Sequence, residues 1–377
     1  MLYAKTNASA CLILINFDCH RVNRLLLFMF LSALALSPLS VLAQLSVKLD
    51  STTSITFGAF LDSYYAFDFN QPADRNRIFT TQPARHNEFN INLAFVEATV
   101  SSDRFRGRLA LQTGTSVQFN YAGETTNREL AQVIQEAFVG VRLAEHLWVD
   151  GGIYFGHIGA ESFISRNNIL YTRLLASDYV PYYQTGIKLS WQITPQLLLQ
   201  AHVLNGWQNI AETNNDKAVA FYFLFIPDNK ISFSYANFLG NEQPDGTPAQ
   251  LRFYNNFIAS AVLSDNLKLN VLADLGIQGE STWYILALFG QLKLSDAIAL
   301  GARAEYFSDR NQTLVTTNTS NGFQTFGASL GIDVSISPQA TWRIEARGFS
   351  SQDAVFPSRN GASSTNGFIV TSLALSI

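Results

Sequence analysis

Residues 266–277 read NLKLNVLADLGI, and apolar side chains occupy every second position from Leu267 onward. Leu267 and Leu269 lie on one face of an extended chain, whereas Lys268 and Asn270 lie on the other, because successive side chains of a β-strand point in opposite directions. A period of two predicts a strand with one apolar and one polar face.

The same alternation recurs along the chain in segments of about 10 to 15 residues, each bounded by turn residues. A strand that crosses a bilayer needs about 9–11 residues, whereas strands of soluble proteins average about 5 or 6. Every segment is therefore long enough to span a membrane. The sixteen segments are 54–68, 86–101, 104–118, 133–143, 147–157, 180–193, 196–207, 217–227, 229–239, 251–263, 266–277, 282–294, 297–308, 323–336, 339–350 and 367–377.

The connections between these segments alternate in length. Tight turns rich in Asp, Ser and Pro follow the even-numbered segments, as at Ser264-Asp265, whereas long connections such as 70–85 and 158–179 follow nearly all the odd-numbered ones; only 278–281 is short. This alternation is typical of an outer-membrane barrel with periplasmic turns and extracellular loops. We therefore predict an all-β fold, a transmembrane antiparallel up-and-down β-barrel of about 16 strands.

The composition favours the same class of protein. Of the 377 residues, 47% are hydrophobic and 14% are charged, which is too apolar for a disordered chain. Only Leu25–Ala43 approaches the roughly 18 apolar residues that a spanning helix needs, so a helical membrane protein is excluded. A pair of secreted β-sandwiches is the alternative fold, since its strands would also have two different faces.

The amino-terminal residues predict export. Two arginines precede an apolar run at 25–36, and a Val-Leu-Ala site for signal peptidase ends at Ala43. We predict that residues 1–43 are a signal peptide with an atypical N-terminal extension and that residues 44–377 are a single outer-membrane barrel domain. An uncleaved anchor helix is the alternative, which Pro38 disfavours.

Both cysteines, Cys11 and Cys19, fall within the predicted signal peptide. No disulfide framework or thiolate site is therefore expected in the mature chain. Removal of the signal peptide changes the formal net charge from −4 to −6, since three basic residues and one acidic residue are lost. No basic patch large enough for nucleic acid remains.

All five tryptophans lie within a few residues of a hairpin end. Such placement is typical of the aromatic girdles at the two membrane interfaces. The alternative is that these side chains pack against turns, because Trp148 and Trp283 have the parity of the inward face. The five residues are Trp148, Trp191, Trp207, Trp283 and Trp342.

A barrel of sixteen strands is too wide for its side chains to fill, and it leaves an aqueous channel. We therefore expect passage of small hydrophilic solutes, with inward-facing charges that tune selectivity. The alternative for each charge is that it is merely solvated or paired on the wall. By strand parity, the pore-lining candidates are Arg106, Arg108, Arg142, Asp150, Lys188, Asp274, Arg303, Glu305, Arg343, Glu345 and Arg347.

The long connection 158–179 is the third extracellular loop. Residues 162–175 within it have apolar side chains at roughly helical spacing after a Ser N-cap, which predicts a helix. The loop is a candidate to fold into the lumen and narrow it; a loop helix packed on the outer rim is the alternative. If the loop folds inward, the constriction residues that meet solute are Arg166, Asn167, Asn168 and Arg173.

The sequence contains residues that resemble enzyme motifs, but they do not lie in the structural context that those motifs need. Gly327–Gly331 has the G-x-S-x-G spelling of a hydrolase, but that motif needs a strand-to-helix elbow, and here it lies inside an alternating strand. The four histidines of the mature chain have no metal-ligand spacing. We expect no enzyme activity, no cofactor and no metal.

Four stretches resemble the OmpL-like β-barrel porins found widely in Bacteroidetes. They are 58–72, GAFLDSYYAFDFNQP; 85–94, RHNEFNINLA; 108–114, RLALQTG; and 180–186, VPYYQTG. The resemblance runs through most of the mature chain and implies an outer-membrane channel of unassigned specificity. One departure is the terminal Ile377, where many barrels carry an aromatic residue that the assembly machinery reads.

The sequence thus predicts an outer-membrane porin of a Gram-negative bacterium, a passive diffusion channel whose selectivity depends on lumen charges and an inward-folded third loop. The alternative is a plugged outer-membrane barrel whose extracellular loops bind a partner or surface. Expected partners are outer-membrane lipid, small hydrophilic solutes and the barrel-assembly machinery, with no nucleic acid. Monomer and homotrimer are both open, as is the choice between cations and anions.

Overall fold

The computed structural model describes residues 45–124 and 127–377. The predicted signal peptide lies outside the described residues. Among those that are described, no helix is both long and apolar enough to cross a membrane. The helical segments are short and lie in connections: α1 (Thr115–Asn120), α2 (Arg128–Val133), a 3₁₀ turn (Ser165–Asn167) and α3 (Leu175–Tyr179).

Sixteen antiparallel strands of 8 to 15 residues form one closed barrel within the described ranges. The predicted fold class and strand number are confirmed. In chain order the strands are β1 (Ser54–Asp68), β2 (Phe89–Ser101), β3 (Phe105–Thr113), β4 (Ile134–Ala144), β5 (Leu147–Phe155), β6 (Tyr183–Thr194), β7 (Leu197–Leu204), β8 (Ala218–Phe225), β9 (Ile231–Asn241), β10 (Leu251–Ser264), β11 (Leu267–Gln278), β12 (Ser281–Lys293), β13 (Ile298–Asp309), β14 (Phe323–Ser335), β15 (Ala340–Ser351) and β16 (Thr365–Ser376).

The barrel closes between its last and first strands. β16 pairs with β1 in a register that runs from Phe368 opposite Asp68 to Ser376 opposite Phe60. A short strand, Leu45–Lys48, pairs with the beginning of β1. Closure satisfies the backbone hydrogen bonds of every strand within the sheet, which is required of strands that face hydrocarbon.

The polar face of the strands points into the barrel and the apolar face points outward, as is required in a membrane. On β15, Arg343 and Glu345 point inward and are buried, whereas Trp342 and Ile344 point outward and are exposed. A soluble sandwich would place the apolar face inside. The outward apolar surface continues around the barrel, and a patch of that size marks contact with lipid or protein.

Tight turns gather at one end of the barrel, which we call the turn end, and the longer connections gather at the other, which we call the loop end. The short exception at the loop end is the turn that follows Gln278, where Gly279 has a φ of 58°. The last connection carries a small hairpin, Phe356–Ser358 with Gly361–Ser363.

One predicted strand is too long. The segment 104–118 is a strand only as far as Thr113, and helix α1 follows. Gly114 has a φ of 138°, a conformation that favours glycine, and a Cβ there would overlap the backbone carbonyl of Asn92. The glycine therefore ends the strand and lets the chain bend toward the interior.

The loop half of the interior is packed with apolar side chains. Inward-facing Tyr254, Trp283 and Phe307 belong to one buried cluster with Leu174 and Leu175 of the third loop. Residues from several connections therefore pack against the inner wall at this end.

The tryptophans divide between the two faces. Trp191 and Trp342 are exposed on the outer surface, as a girdle requires, but Trp207 and Trp283 are buried in the interior cluster. The girdle expectation is therefore wrong for these last two. The ring of Trp283 lies over Gly276, where a Cβ would overlap it.

Candidate functional site: the barrel lumen

The third loop, residues 156–182 between β5 and β6, contacts the inner wall along much of its length. The Ser165 hydroxyl donates to Asp62 Oδ2 at 2.8 Å. The guanidinium of Arg343 donates to the carbonyls of Ser165 at 2.7 Å and Asn168 at 2.8 Å. Because Asp62 and Arg343 both point inward, this part of the loop lies within the barrel.

Arg166 connects the same loop to the turn end. Its guanidinium donates to the carbonyls of Pro338 and Gln339, the latter at 3.3 Å. Those two residues belong to the turn between β14 and β15. The third loop therefore extends from the loop end to the turn end. Asn167, the neighbour of Arg166, is exposed.

Buried wall carboxylates accept hydrogen bonds from the loop backbone. Glu345 accepts from the Thr172 N–H at 2.7 Å and from its hydroxyl at 2.6 Å. Glu305 accepts from the Leu175 N–H at 2.7 Å. Bonds to an ionised acceptor are roughly twice as strong as neutral ones, so these wall residues act as anchors for the loop.

The helix predicted over 162–175 is wrong. That stretch contains only the 3₁₀ turn Ser165–Asn167, and helix α3 begins at its last residue. The reason is competition for backbone donors: the Leu174 N–H, for example, donates to Glu161 Oε2 at 2.6 Å. N–H groups that bond to carboxylates are not available for an intrahelical ladder.

Two arginines complete the anchor. Arg303 donates to the Thr172 carbonyl at 2.9 Å, to its hydroxyl at 2.7 Å and to the Ser329 hydroxyl at 2.8 Å. Arg347 donates to the Arg173 carbonyl at 2.6 Å. Ser329, the serine of the G-x-S-x-G spelling, thus lies in mid-strand as an acceptor for Arg303.

These wall charges also pair with one another. Arg303 lies 3.1 Å from Glu345, and Arg347 contacts Glu305. The side chains of all four residues are at most 1% exposed. A buried charge without a partner is costly, so the loop and the wall stabilise each other only as a complete network.

Acidic residues of the third loop are desolvated as well. Burial raises the pKa of the Glu161 carboxyl, and Arg303, 3.7 Å away, opposes that shift. Burial likewise raises the pKa of Asp178, and Arg173 opposes it. For both loop acids, burial and the neighbouring arginine thus shift the pKa in opposite directions.

Strands β2–β6 carry a second charged cluster. Arg106 forms a bidentate pair with Asp150 at 2.7 and 2.6 Å, and Lys188 Nζ lies 3.5 Å from the same carboxylate. The Arg106 guanidinium also lies 4.5 Å from the centre of the Trp148 ring. The Arg106 side chain is 34% exposed and that of Lys188 is 18% exposed, so solvent reaches this cluster.

Arg108 belongs to the same wall. It lies 2.5 Å from Glu97 and also contacts Glu136. Its side chain is 18% exposed, in contrast to the fully buried Arg303. Three cations and three carboxylates are thus paired in this cluster.

The remaining wall candidates lie apart from both clusters. Arg142 is exposed at the turn end. Asp274 is buried on β11, where its carboxylate accepts from the Tyr254 hydroxyl at 2.8 Å and from the Asn256 amide at 2.5 Å. Its partners are therefore wall side chains rather than the third loop.

The two other constriction candidates contact the loop itself. The Asn168 amide oxygen accepts from the Ser162 N–H at 2.7 Å. Arg173 is buried, donates to the Ser177 carbonyl at 2.7 Å and lies 3.8 Å from the centre of the Tyr182 ring. Both side chains stabilise the loop conformation.

Sequence reasoning missed several residues of the lumen. Glu161 and Thr172 lie in a loop without periodicity, so no pattern assigns them a direction. His157 and His202 are far apart in sequence, yet their rings stack with centres 4.4 Å apart. His157 also lies 2.8 Å from the carbonyl of Asn237 on β9. Pairs that meet across the barrel leave no local signal in sequence.

A closed barrel of this size, with an apolar outer face and a charged inner face, defines an outer-membrane porin. The sequence profile of the family described as "Putative beta-barrel porin-2, OmpL-like" matches residues 54–377. The chain belongs to this family and is an outer-membrane protein of a Gram-negative bacterium. No curated protein sequence shows a match.

Solved structures show the same fold at low sequence identity. The anion-selective porin from Comamonas acidovorans is 8% identical, with a TM-score of 0.59 over 86% of this chain and 100% of that one. The outer membrane channel DcaP of Acinetobacter baumannii is 10% identical, with a TM-score of 0.61 over 89% and 100%. Salmonella typhi OmpF, solved in complex with daunomycin, is 11% identical, with a TM-score of 0.58 over 88% and 100%.

Proposed function

We propose that this porin is a passive diffusion channel for small hydrophilic solutes and ions, in which the third loop sets the size limit. The contacts of Arg343 with loop carbonyls carry this proposal. The loop also reaches β2, because Phe163 belongs to one buried cluster with Leu93. Solutes would therefore pass beside the loop, along the partly exposed side chains of Arg106 and Lys188.

The wall charges divide into two roles under this proposal. The charges on β13–β15 that hold the loop have side chains at most 5% exposed; they are Arg303, Glu305, Arg343, Glu345 and Arg347. Those on β3, β5 and β6 meet solute, since Arg106 and Lys188 are partly exposed. The second group, Arg106, Arg108, Asp150 and Lys188, therefore contributes to selectivity.

Deletion of Ser162–Ser177 tests the role of the loop. The refolded deletion variant should conduct several-fold more than the parent chain in planar bilayers, because the cross-section of the lumen increases. Deletion of the exposed residues 245–248, in the connection between β9 and β10, is the matched control and should leave conductance unchanged. A parent chain and a deletion variant that both fail to conduct would sink the proposal.

A plugged barrel whose extracellular loops bind a partner is the second candidate. The apolar packing at the loop end favours it, because Tyr254, Trp283 and Phe307 are buried together with loop residues. In that case the parent chain should show no steady conductance, and only the deletion variant should conduct. The same bilayer recordings therefore separate the two functions.

We further propose that residues 1–43 are removed on export and that the barrel assembles as a homotrimer with the aid of the barrel-assembly machinery. OmpT of Vibrio cholerae, 8% identical with a TM-score of 0.57 over 87% of this chain and 100% of that one, has been solved in a trimer form. Mass spectrometry of the native protein should give an N-terminus at Gln44. Crosslinking in native membranes should give a species of three times the chain mass.

We also propose that the barrel has no hydrolase activity. Ser329 lies in mid-strand and accepts a hydrogen bond from Arg303 at 2.8 Å. A lipase assay on the refolded parent chain should give no turnover above the detergent blank, and Ser329→Ala should not alter that result. Turnover that Ser329→Ala abolishes would contradict the proposal.

A further inference from the structure

A cavity lined by both polar and apolar side chains lies at the turn end beside β9, β10 and β11. Its volume is about 320 Å³. The side chains that line it include two amines, two hydroxyls and one amide, all of them groups that donate hydrogen bonds. These residues are Lys230, Lys268, Ser232, Ser260 and Asn270.

The sheet register brings the neutral donors into one row. Ser232 pairs with Ser260, and Ser260 pairs with Asn270 on the next strand. Their parity is inward, because Phe233 and Phe257 on the same strands are exposed on the outer face. Since adjacent strands lie about 4.8 Å apart, the three polar side chains can contact one small ligand.

The two lysines form a second row, one step nearer the turn end. Lys268 pairs with Val262, and the Val262 N–H donates to the Lys230 carbonyl at 2.7 Å. The lysines thus flank a single residue of β10, and their long side chains can converge on the space above it. Within residues 45–124 and 127–377, neither amine forms an ion pair or a side-chain hydrogen bond.

Neither amine forms an ion pair with the nearby carboxylates among the described residues. Asp228 also lines the cavity, but its Oδ1 accepts from the N–H groups of Lys230 at 2.7 Å and Ile231 at 3.0 Å within its own turn. Asp265 lies in the next turn, at the rim of the barrel. By contrast, Arg106, Arg108 and Lys188 on β3 and β6 each form an ion pair with a carboxylate.

We propose that this cavity is a binding site for small oxyanions, such as inorganic phosphate or a carboxylate-bearing solute, and that it gives the channel a preference for anions. Two amines supply charge, and the serine and asparagine side chains supply neutral donors. Charge-assisted bonds from several donors to one oxyanion are the strong kind. The preference for anions, though not the site itself, rests on the proposed channel function.

Phosphate titration tests the site without requiring conductance. Inorganic phosphate is titrated into the refolded full chain in detergent at low ionic strength, where surface charges are least screened, and binding is followed by calorimetry. The double variant Lys230→Gln with Lys268→Gln should bind phosphate about tenfold or more weakly, since two charge-assisted bonds are lost.

Lys293→Gln is the matched control. Lys293 lies on the inner face of β12 near the turn end and is exposed, but it does not line the cavity. This variant should lose less than about twofold in affinity, since only the general field changes. A parent chain that binds no phosphate, or equal losses in the double variant and the control, would overturn the site.

The reversal potential in a salt gradient tests the anion preference. The parent chain should favour chloride over potassium, and the double variant should favour it less. Phosphate binding without any conductance would leave the site standing and reject the proposed channel. Conductance without phosphate binding would leave the channel standing and reject the site.

Discussion

The two charged walls of the lumen are built from the same residue types at the same strand parity, yet they differ in what surrounds them. On β13–β15 the side chains of Arg303 and Glu345 are at most 1% exposed and contact the third loop. On β2–β6 Arg106 is 34% exposed and contacts Asp150. Parity sets which way a side chain points, but the path of a loop decides whether it meets water.

The difference has an energetic consequence. A desolvated ion pair depends on all its partners, and removal of one leaves the other charge uncompensated. A partly exposed pair is screened by water and contributes little. Equal substitutions on the two walls should therefore give unequal effects.

The largest effect is expected from Arg303→Met, which keeps the side-chain length and removes the charge. Thr172, Glu345 and Ser329 all lose a donor, so the loop attachment should weaken by about 3–5 kcal/mol. Hydrogen exchange of the Thr172 amide should accelerate by about a hundredfold or more.

Arg106→Met on the exposed wall is the matched control for that variant. Asp150 keeps the Lys188 amine 3.5 Å away in this variant, and the Thr172 amide, which bonds to Glu345, should keep its protection. Equal exchange rates in the two variants would mean that the two walls do not differ in the way their burial indicates.

A smaller effect is expected from Thr172→Val. The hydroxyl bonds to Glu345 at 2.6 Å, to Arg303 at 2.7 Å and to Arg347 at 3.0 Å, and its loss should cost about 1–3 kcal/mol. Thr325→Val is the control, because the buried Thr325 hydroxyl has no hydrogen-bond partner among the described residues. Urea unfolding should distinguish the two variants, because only Thr172→Val should unfold at a clearly lower urea concentration. An equal fall in the midpoint urea concentration of both variants would contradict this account.

A smaller effect again is expected at Gly301. A Cβ there would lie 2.9 Å from the Ile169 carbonyl oxygen of the third loop, so Gly301→Ala should displace the loop at a cost of about 1 kcal/mol. Gly348→Ala is the control, since its Cβ would meet nothing closer than 3.9 Å. Hydrogen exchange of loop amides should rise only in Gly301→Ala, and an unchanged rate would show that the contact is loose.

The smallest effect concerns selectivity. The double variant Arg106→Gln with Lys188→Gln leaves Asp150 without its two cations, so the ratio of anion to cation permeability should fall by about twofold to threefold. Lys217→Gln, in the exposed connection between β7 and β8, is the control and should leave the reversal potential unchanged. Equal shifts in both variants would place the selective charges outside the lumen.

Much of the fold was predictable because the barrel repeats one local rule. The alternation in 266–277 gives strand β11 and its inward and outward faces, and the same rule gives the other fifteen strands. The inward direction of Arg343 and Arg347 follows from that parity as well. The early end of β3 was harder to predict from the sequence, because it depends on how closely Gly114 approaches Asn92.

The third loop was predictable only in part. Its length marked it as unusual, but the apolar spacing in 162–175 predicted a helix that does not form. Those apolar side chains pack against the barrel interior, as Leu174 and Leu175 do, and backbone groups beside them bond to Glu161 and Glu305. Spacing along the chain cannot report contacts that are made across the barrel.

The sequence by itself determined the strands, the two faces, the closed topology and the membrane as surroundings, because each depends on a period of two and on turn chemistry. Only the tertiary structure decided which inward charges anchor the third loop and which meet solvent. The physical reason is that desolvation depends on everything that surrounds a side chain. For Arg303 and Arg106, those surroundings are set by residues more than forty positions away.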